Sequence, residues 1–432
     1  MRIAARLQTL SELLVETLSS RQAADFIVKQ WGRENRFAGS KDRRFLSDGL
    51  FTILRHYGSL QDRLGTDDPV LITMLAFVDA FEGDSKMTLE DVLAMADGQP
   101  HNPETLSDAQ IQCLHDAAAK APQTRAGKLN VAEWMLEELD AGLGDNVDAV
   151  LHAMTQRAPL DVRVNTLKAD VEQAMAALQD QGFEVQAHGQ VANALRVSLP
   201  ANVTQSQAFE DGLIEVQDAG AQAVSQFVAA KPHETVLDYC AGAGGKSLAM
   251  AALMQNSGRL IVNDTDSRRM RPIEARAARA GVKMLETATP ALLDKLVGRC
   301  DLVMADVPCS GSGRWRRSPE TKWRLTPDSM LALRSAQLNI LKKAAAYVAP
   351  GGRLVYVTCS VFAAENSKLI NSFLAGNPGF ERQMQATDGD DMLSQFQTHG
   401  ELQLDPVRHD TDGLFCAVLR RCDTERSAGK PA

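Results

Sequence analysis

From residue 226 to residue 422, short apolar runs alternate with amphipathic segments that have the period of a helix. The apolar runs are predicted strands, at 235–240, 259–264, 301–307, 353–360 and 414–421. The amphipathic segments are predicted helices, at 246–255, 267–280, 327–348 and 363–375. Because parallel strands are connected through helices, this alternation predicts an α/β domain with a largely parallel, doubly wound sheet.

Two further segments precede this domain, as expected for a chain of 432 residues, which is too long for one ordinary domain. Residues 1–140 have apolar positions at helical spacing and no obvious strand pattern, so they predict an all-helical domain. Residues 145–225 combine an amphipathic helix at 170–183 with strand-like runs around it, which predicts a small α+β module. The polar segment 423–432 predicts a disordered tail.

The composition excludes several classes of protein. Apolar residues make up 44% and charged residues 23%, which is typical of a globular chain. No stretch reaches the ~18–20 consecutive apolar residues of a membrane helix, and Glu12 and Glu16 lie where a secretory signal would be apolar. The seven cysteines are odd in number and include no CxxC pair, which argues against disulfides and a Cys-rich zinc site. We therefore expect a cytoplasmic protein without a bound metal or a membrane contact.

The net charge of −9 disfavours a nucleic-acid partner, because contacts to phosphates dominate that kind of affinity. Basic residues are nevertheless concentrated locally. The segment 314–324 interleaves them with tryptophans, a pattern that suits backbone contact and base stacking. Its candidate RNA-binding residues are Arg314, Trp315, Arg316, Arg317 and Lys322. The competing interpretation, that these residues merely pack within a loop, fits the sequence equally well.

The glycine-rich segment 240–246 follows a predicted strand and opens a predicted helix, where backbone N–H groups can contact a ligand. Its candidate cofactor-binding residues are Cys240, Ala241, Gly242, Ala243, Gly244, Gly245 and Lys246. A Walker loop is excluded because Cys240 stands where that pattern needs a glycine, and the dinucleotide pattern GxGxxG fails at Ser247. An S-adenosylmethionine pocket is the third interpretation. Asp264, which ends the next predicted strand, is placed to bind ribose hydroxyls, unless it is a helix N-cap, a role that Asp266 fits as well.

Two cysteines stand at the carboxyl ends of predicted strands that could be neighbours in the sheet. Cys309 follows Asp306 after the strand 301–307, and Cys359 lies at the end of the strand 353–360. Open α/β sheets bind ligands at this edge, whereas a purely structural cysteine lies more often in the middle of a strand. We therefore predict two reactive thiols close to the cofactor turn.

These motifs, in this order, resemble those of the RNA cytosine-C5 methyltransferase family of the RsmB/Nop2/Sun type. Residues 240–246 resemble its motif I, Asp306 to Cys309 its motif IV, and Thr358 to Ser360 its motif VI. The resemblance covers residues 145–421, the small N1 module included. Residues 1–140 resemble more loosely the NusB-like RNA-binding domain of the Fmu/Sun-type 16S rRNA enzymes.

The resemblance implies a Rossmann-like, S-adenosylmethionine-dependent enzyme that makes 5-methylcytosine in RNA, with 16S rRNA as the favoured substrate. It implies that Cys359 attacks C6 of the cytosine and that Cys309 assists release of the product. It also implies that Asp306 hydrogen-bonds N3 and borders the cofactor. Because the target base must be unstacked, we expect single-stranded or loop RNA as the partner. The family's precedent implies a monomer.

The sequence departs from the family in two places. Its turn reads Cys-Ala-Gly-Ala-Gly-Gly-Lys where Cys-Ala-Ala-Pro-Gly-Gly-Lys is usual, and Ala288 or Thr289 stands where an acid usually lies near the adenine. Three alternatives remain open: a tRNA methyltransferase, a catalytically decayed RNA-binding or ribosome-assembly factor, and a DNA cytosine-C5 methyltransferase. The last class has no counterpart of Cys359 and no NusB-like domain.

Overall fold

The computed structural model describes residues 1–384 and 397–422, so the predicted disordered tail at 423–432 lies outside the described residues. Contacts divide the chain into two compact units. The first unit comprises Met1–Arg157 and Arg314–Pro327, and the second comprises Ala158–Gly313 and Asp328–Ala432. Among the described residues, no helix is long and apolar enough to cross a membrane.

The first part of the chain is helical, as predicted, and residues 1–157, all of which are described, contain no strand. Its helices are α1 (Ile3–Ser19), α2 (Ala24–Glu34), α3 (Ser40–Leu64), α4 (Pro69–Asp79), α5 (Leu89–Leu93), α6 (Asp108–Ala118), α7 (Arg125–Leu129), α8 (Leu136–Leu143) and α9 (Val147–Ala153). Leu7, Leu10 and Leu14 of α1 are completely buried in its core. The helices continue beyond residue 140, because Val147 and Val150 extend the buried apolar pattern by two more turns.

The second unit begins with a small antiparallel sheet. Its elements are β1 (Leu160–Val164), α10 (Val171–Gln179), β2 (Val185–Ala187), β3 (Ala194–Val197), α11 (Gln207–Glu210) and β4 (Ile214–Val216). The strands lie in the order β2-β3-β1-β4, and neighbouring strands are antiparallel. Leu178 of α10 and Val162 of β1 belong to one buried core. Residues 160–216 therefore form an α+β arrangement of the predicted kind.

In the described residues that follow, nine strands form a second sheet with helices around it. Its strands are β5 (Thr235–Asp238), β6 (Arg259–Val262), β7 (Leu285–Thr287), β8 (Cys300–Asp306), β9 (Val348–Thr358), β10 (Phe380–Arg382), β11 (Gln397–Thr398), β12 (Glu401–Leu404) and β13 (Leu414–Arg421). The helices that follow α11 along the chain are α12 (Ala219–Val228), α13 (Gly245–Leu253), α14 (Ser267–Met270), α15 (Ile273–Ala280), α16 (Pro290–Leu296), α17 (Glu320–Arg324), α18 (Pro327–Ala345) and α19 (Ser367–Gly376). Of these, α17 belongs to the first unit.

The strand order is β11-β12-β13-β9-β8-β5-β6-β7, and β10 pairs with β13. The five strands from β9 to β7 are parallel, whereas β13 runs antiparallel to β9. The predicted doubly wound, Rossmann-like α/β sheet is therefore confirmed. Because β8 pairs with β5 on one side and with β9 on the other, the carboxyl ends of these three strands meet at one edge of the sheet.

One predicted helix is divided in the structure. The segment 267–280 forms two helices, α14 and α15, with Pro272 between them. Proline has no backbone N–H, so it cannot continue the hydrogen-bond ladder of a helix, but it can precede a new one. Ile273, the first residue of α15, is buried.

Candidate active site

The turn 240–246 connects β5 to α13 and is shaped by glycines. Gly242 and Gly244 have φ angles of +53° and +84°, in the left-handed region that only glycine adopts without strain. A Cβ atom on Gly244 would lie 2.5 Å from Cγ1 of the buried Ile273. The turn therefore keeps its backbone close to α15 and places its N–H groups at the start of α13, where a ligand can bind.

We predict that Gly244→Ala lowers the free energy of unfolding by roughly 2–4 kcal/mol, because it combines a left-handed alanine with a clash in a packed region. Gly245→Ala is the matched control. Gly245 has an ordinary φ, and its Cβ would meet only Nε2 of Gln217, at 3.8 Å. Thermal or urea unfolding of the two variants measures the difference, and equal stabilities would show that the turn is not constrained as described.

The sequence left open whether Asp264 or Asp266 is the N-cap of the next helix, and the structure assigns that role to Asp266. Asp266 accepts a hydrogen bond from the N–H of Arg268 and is the N-cap of α14. Asp264 lies just after β6, accepts a hydrogen bond of 2.9 Å from the N–H of Gly242, and lies 3.3 Å from Arg269. The ribose role of Asp264 stays a prediction, and its carboxylate demonstrably holds the glycine turn in place.

An additional acid, Asp238, lies under the turn at the end of β5. Burial, opposed by a hydrogen bond from Ser247, raises the pKa of Asp238 to about 7. Its Oδ1 atom is buried and finds no hydrogen-bond partner among the residues that the structure describes. A buried acceptor without a partner is costly, so a donor from a bound ligand would fit here. The turn and Asp238 together are compatible with the expected cofactor, which the resemblance names as S-adenosylmethionine.

The adenine side shows no replacement for the missing acid at the predicted position. Ala288 follows β7, and Thr289 is the N-cap of α16, where its hydroxyl accepts a hydrogen bond from the N–H of Leu292. Glu286 lies on β7 and forms an ion pair with Arg259 of β6. The threonine at this position therefore has a structural role.

Lys246, in the first turn of α13, reaches across to β8. Its Nζ donates a hydrogen bond of 2.7 Å to Oδ2 of Asp306. Burial alone would lower the pKa of Lys246, but the Asp306 carboxylate outweighs burial and raises it, and Cys359 contributes in the same direction. Lys246 therefore stays positively charged at the edge where the cysteines lie.

The structure brings the two predicted reactive cysteines together. The Sγ atoms of Cys309 and Cys359 are 3.3 Å apart, at hydrogen-bond distance, and both residues are free thiols. The hydrogen bond to Cys359, reinforced by burial, raises the pKa of Cys309 well above that of an ordinary thiol. Either sulfur can donate this hydrogen bond, so a proton can pass directly between the two residues.

The remaining cysteine of the motifs is not reactive. Burial, together with the nearby Asp238, raises the pKa of Cys240 to about 12. A thiol of that pKa is hardly ionised near neutrality and is a weak nucleophile. Cys240 therefore contributes to the packing of the glycine turn and is not a candidate nucleophile.

A buried polar network behind the cysteines was not predicted from the sequence. Its centre is Glu365, in a 3₁₀ turn at Ala363–Glu365, and its side chain is completely buried. Ser310 and Ser360, which follow the two cysteines, both donate hydroxyl hydrogen bonds to Glu365. The only signal in the sequence was an acid five residues after Ser360 in an otherwise apolar segment, VFAAE.

The segment 314–324 corrects part of the RNA-binding prediction. Trp315, Arg316 and Lys322 are buried within the first unit, at 1%, 5% and 3% exposure, so they cannot line an open RNA path in this conformation. The segment packs there because Trp323 donates a hydrogen bond to the carbonyl of Leu54 and Lys322 lies over the rings of both tryptophans. Arg314 is exposed and Arg317 is half-buried, so only these two stay candidates.

Lys322 provides a prediction about stability. Burial, with a smaller effect from Arg55, lowers the pKa of Lys322 to about 7, from 10.5 for an ordinary lysine. Between pH 7 and 10.5, Lys322 therefore holds a proton more often in the unfolded chain than in the folded chain, so its own contribution to the free energy of unfolding rises with pH in this window.

We expect Lys322→Met to raise the free energy of unfolding by about 1–3 kcal/mol near pH 7, because it removes a buried amine without a carboxylate partner. The gain should shrink towards pH 10. Lys41→Met, at an exposed position on α3, is the control and should change little. Urea unfolding at pH 7 and pH 9.5 tests this, and a destabilised Lys322→Met variant would contradict it.

Among the described residues, no group of three or more His, Cys, Asp or Glu side chains could hold a metal ion.

The comparisons with known proteins converge on one family. The family described as 16S rRNA methyltransferase RsmB/F matches residues 225–420, and a ferredoxin-like domain of RsmF/B-like methyltransferases matches residues 131–204. A Bacillus subtilis protein named probable ribosomal RNA small subunit methyltransferase B is 29% identical over 71% of this chain and 70% of its own length. Alignments with three such relatives span 65–70% of the relatives' own lengths.

Two solved structures are similar in fold to this chain. The crystal structure of PH0851 is 25% identical, with a TM-score of 0.73 over 98% of this chain and 99% of that one. A methyltransferase homologue from Pyrococcus horikoshii is 26% identical, with a TM-score of 0.58 over 68% of this chain and 97% of that one. The first similarity extends over both units of the chain.

Proposed function

This chain belongs to the 16S rRNA methyltransferase RsmB/F family, and we propose that it methylates C5 of a cytosine in small-subunit ribosomal RNA. Membership of this family places the chain among the rRNA methyltransferases. The choice of cytosine as the base, of C5 as the methylated atom and of a two-cysteine mechanism is our proposal. The observation that carries this proposal is the pair of thiols, Cys309 and Cys359, 3.3 Å apart at the sheet edge that also bears the glycine turn.

The chemistry of cytosine explains the need for a thiolate. C5 of cytosine is a poor nucleophile, and addition of a thiolate to C6 turns the ring into an enamine with electron density at C5. We assign this attack to Cys359, because the family resemblance implies it and because Lys246, which stays positively charged, lies near this sulfur. The step forms the bond between Sγ and C6 and breaks the double bond between C5 and C6.

S-adenosylmethionine, when bound, supplies the electrophilic methyl group. The residues that would hold it are those of the turn 240–246, with Asp264 for the ribose and Asp306 beside Lys246 at the border of the pocket. The role of this chain is to hold the acceptor base and the cofactor in one dry site, in the orientation that the reaction needs.

Asp306 has a second task in this proposal. It lies at the end of β8, three residues before Cys309, with a third of its side chain exposed. Addition of the Cys359 thiolate to C6 pushes electron density towards N3, which takes up a proton from water, and a carboxylate there can accept the hydrogen bond from the N3–H that results. Lys246 fixes the position of the carboxylate through Oδ2.

Cys309 acts after methyl transfer. In its thiolate form, after its own proton has passed to solvent, Cys309 serves as the base that takes the proton from C5. Removal of this proton restores the double bond between C5 and C6 and expels the Cys359 thiolate.

The direct test incubates the protein with S-adenosylmethionine labelled in its methyl group and with 16S rRNA, 23S rRNA or tRNA, followed by nucleoside analysis. We expect label in 5-methylcytosine from 16S rRNA. Label in tRNA alone would identify the alternative substrate. If the folded protein labels no RNA and binds no S-adenosylmethionine, the catalytically decayed RNA-binding factor becomes the better description.

A further inference from the structure

Glu365 stands out among the buried groups because the proposed chemistry does not use it. Its carboxylate accepts four hydrogen bonds and is completely inaccessible to solvent. Ser310 donates from its backbone N–H at 2.9 Å and from its hydroxyl, Ser360 donates from its hydroxyl, and Gln337 donates from Nε2 at 2.7 Å. Four donors around one carboxylate satisfy both oxygens, as a buried carboxylate requires.

The donors connect Glu365 directly to both catalytic loops. Ser310 is the residue after Cys309, and Ser360 is the residue after Cys359. Oε2 accepts from both hydroxyls, so a single atom bridges the two loops. The loops are also joined by a hydrogen bond of 3.0 Å from the N–H of Gly313 to the carbonyl of Cys359.

The other side of Glu365 is anchored to regular structure. The hydroxyl of Tyr356, on β9, donates a hydrogen bond of 2.7 Å to the backbone carbonyl of Glu365. Nε2 of Gln337, on α18, donates both to Glu365 and, at 3.0 Å, to the carbonyl of Pro308, the residue before Cys309. The backbone of Glu365 is therefore anchored to a strand and its carboxylate to a helix. The same carboxylate is hydrogen-bonded to the two loops, so it holds both in place.

From these contacts we propose that Glu365 is a positioning residue that holds the Cys309 and Cys359 sulfur atoms at their 3.3 Å separation. The inference rests on the proposed function for its catalytic meaning, because only a two-thiol mechanism needs this separation. Its structural part is independent of the reaction. The short distance is useful because proton transfer between two groups requires hydrogen-bond reach.

The substitution Glu365→Gln tests whether Glu365 acts through its hydrogen bonds or only through the volume that its side chain fills. Glutamine has nearly the same shape, but its NH₂ group cannot accept a hydrogen bond from a serine hydroxyl. If its oxygen keeps the bonds from Ser310 N–H and Gln337, its NH₂ faces the two serine hydroxyls, which must turn their hydrogens away and accept instead, so the charge-assisted bonds of the bridge are replaced by weaker neutral ones. Ser360→Ala removes the bond to Glu365 on the Cys359 side, together with the contacts of this hydroxyl to Ser310, Ser312 and the N–H of Phe362, and serves as a second variant that keeps the bonds from Ser310 to Glu365.

The closing experiment measures the proximity of the two sulfurs without any methyl transfer. Diamide takes two electrons and two protons from a pair of thiols, so it converts neighbouring cysteines to a disulfide while it becomes a hydrazine. Mass spectrometry then follows the peptide pair linked through Cys309 and Cys359. Asp405→Asn is the matched control, because Asp405 is a buried carboxylate whose partners are Val407, Arg408 and His409, not the cysteine loops.

We expect the linked pair to form at least about ten times more slowly in Glu365→Gln than in the wild type, with Ser360→Ala between them and Asp405→Asn unchanged. In the methyl-transfer assay, kcat should fall while KM for RNA changes little, because the substrate contacts remain. Equal linking rates in Glu365→Gln and the wild type would overturn the proposal, as would slow linking with an undiminished kcat. If the wild type proves inactive but linking still depends on Glu365, the proposed function fails and the positioning role stands.

Discussion

Cys359→Ala should abolish methyl transfer to RNA, with a loss in rate of at least about a thousandfold, the scale that removal of a catalytic nucleophile reaches. Without the thiolate, C6 of the cytosine receives no electron pair, and C5 stays a poor acceptor of the methyl group. The variant should fold normally, because the side chain is half-buried at the end of β9 and its loss leaves little empty space. Transfer of labelled methyl to 16S rRNA measures the rate.

The control for this variant is Cys422→Ala, since Cys422 is a half-buried free thiol at the end of the described chain and far along the sequence from both motifs. It should retain full activity. Cys359→Ala should also bind S-adenosylmethionine as the wild type does, because the glycine turn is untouched. A Cys359→Ala variant with substantial activity would show that the nucleophile is misassigned.

Cys309→Ala should have a different phenotype, which is the second large effect that we expect. Methyl transfer within the first turnover should persist, because Cys359 and Asp306 remain. Release should fall by roughly a hundredfold or more, because the base that takes the C5 proton is missing. A covalent protein–RNA complex should therefore accumulate and survive in a denaturing gel, and one methyl group per enzyme should be transferred.

The double variant Cys309→Ala with Cys359→Ala is the control for this complex, and it should form none. If Cys309→Ala instead turns over at the wild-type rate, the base that accepts the C5 proton lies elsewhere. If Cys309→Ala forms no complex and transfers no methyl group, Cys309 is needed before release, and the order of the two roles is reversed.

The sequence predicted where the candidate site residues would lie, because its signals are local. A cysteine at the end of a β-strand and a glycine turn between a strand and a helix are features of a few neighbouring residues, and parallel strands then bring Asp306 and Cys359 to one edge. The long strands of the sheet were equally predictable, since burial on both faces gives them continuous apolar runs. The short strands β7, β10 and β11 have only two or three residues and no such pattern.

Other features depend on contacts that no local pattern contains. The basic and aromatic segment around Lys322 has the composition of an RNA-binding loop, and its burial against α3 follows only from the fold of the first unit. Glu365 looks like an ordinary surface acid in the sequence. Its importance comes from Ser310, which is 55 residues away along the chain, and such a pairing cannot be read from spacing.

The central claim is that Cys359, and not Cys309, forms the bond to the cytosine. The most direct measurement isolates the covalent complex that Cys309→Ala forms with 16S rRNA, digests protein and RNA, and locates the modified peptide by mass spectrometry. We predict a methylated cytidine nucleotide attached to the peptide that contains Thr358, Cys359 and Ser360. A nucleotide on any other residue, or a complex that forms equally well in the Cys359→Ala variant, would contradict the mechanism.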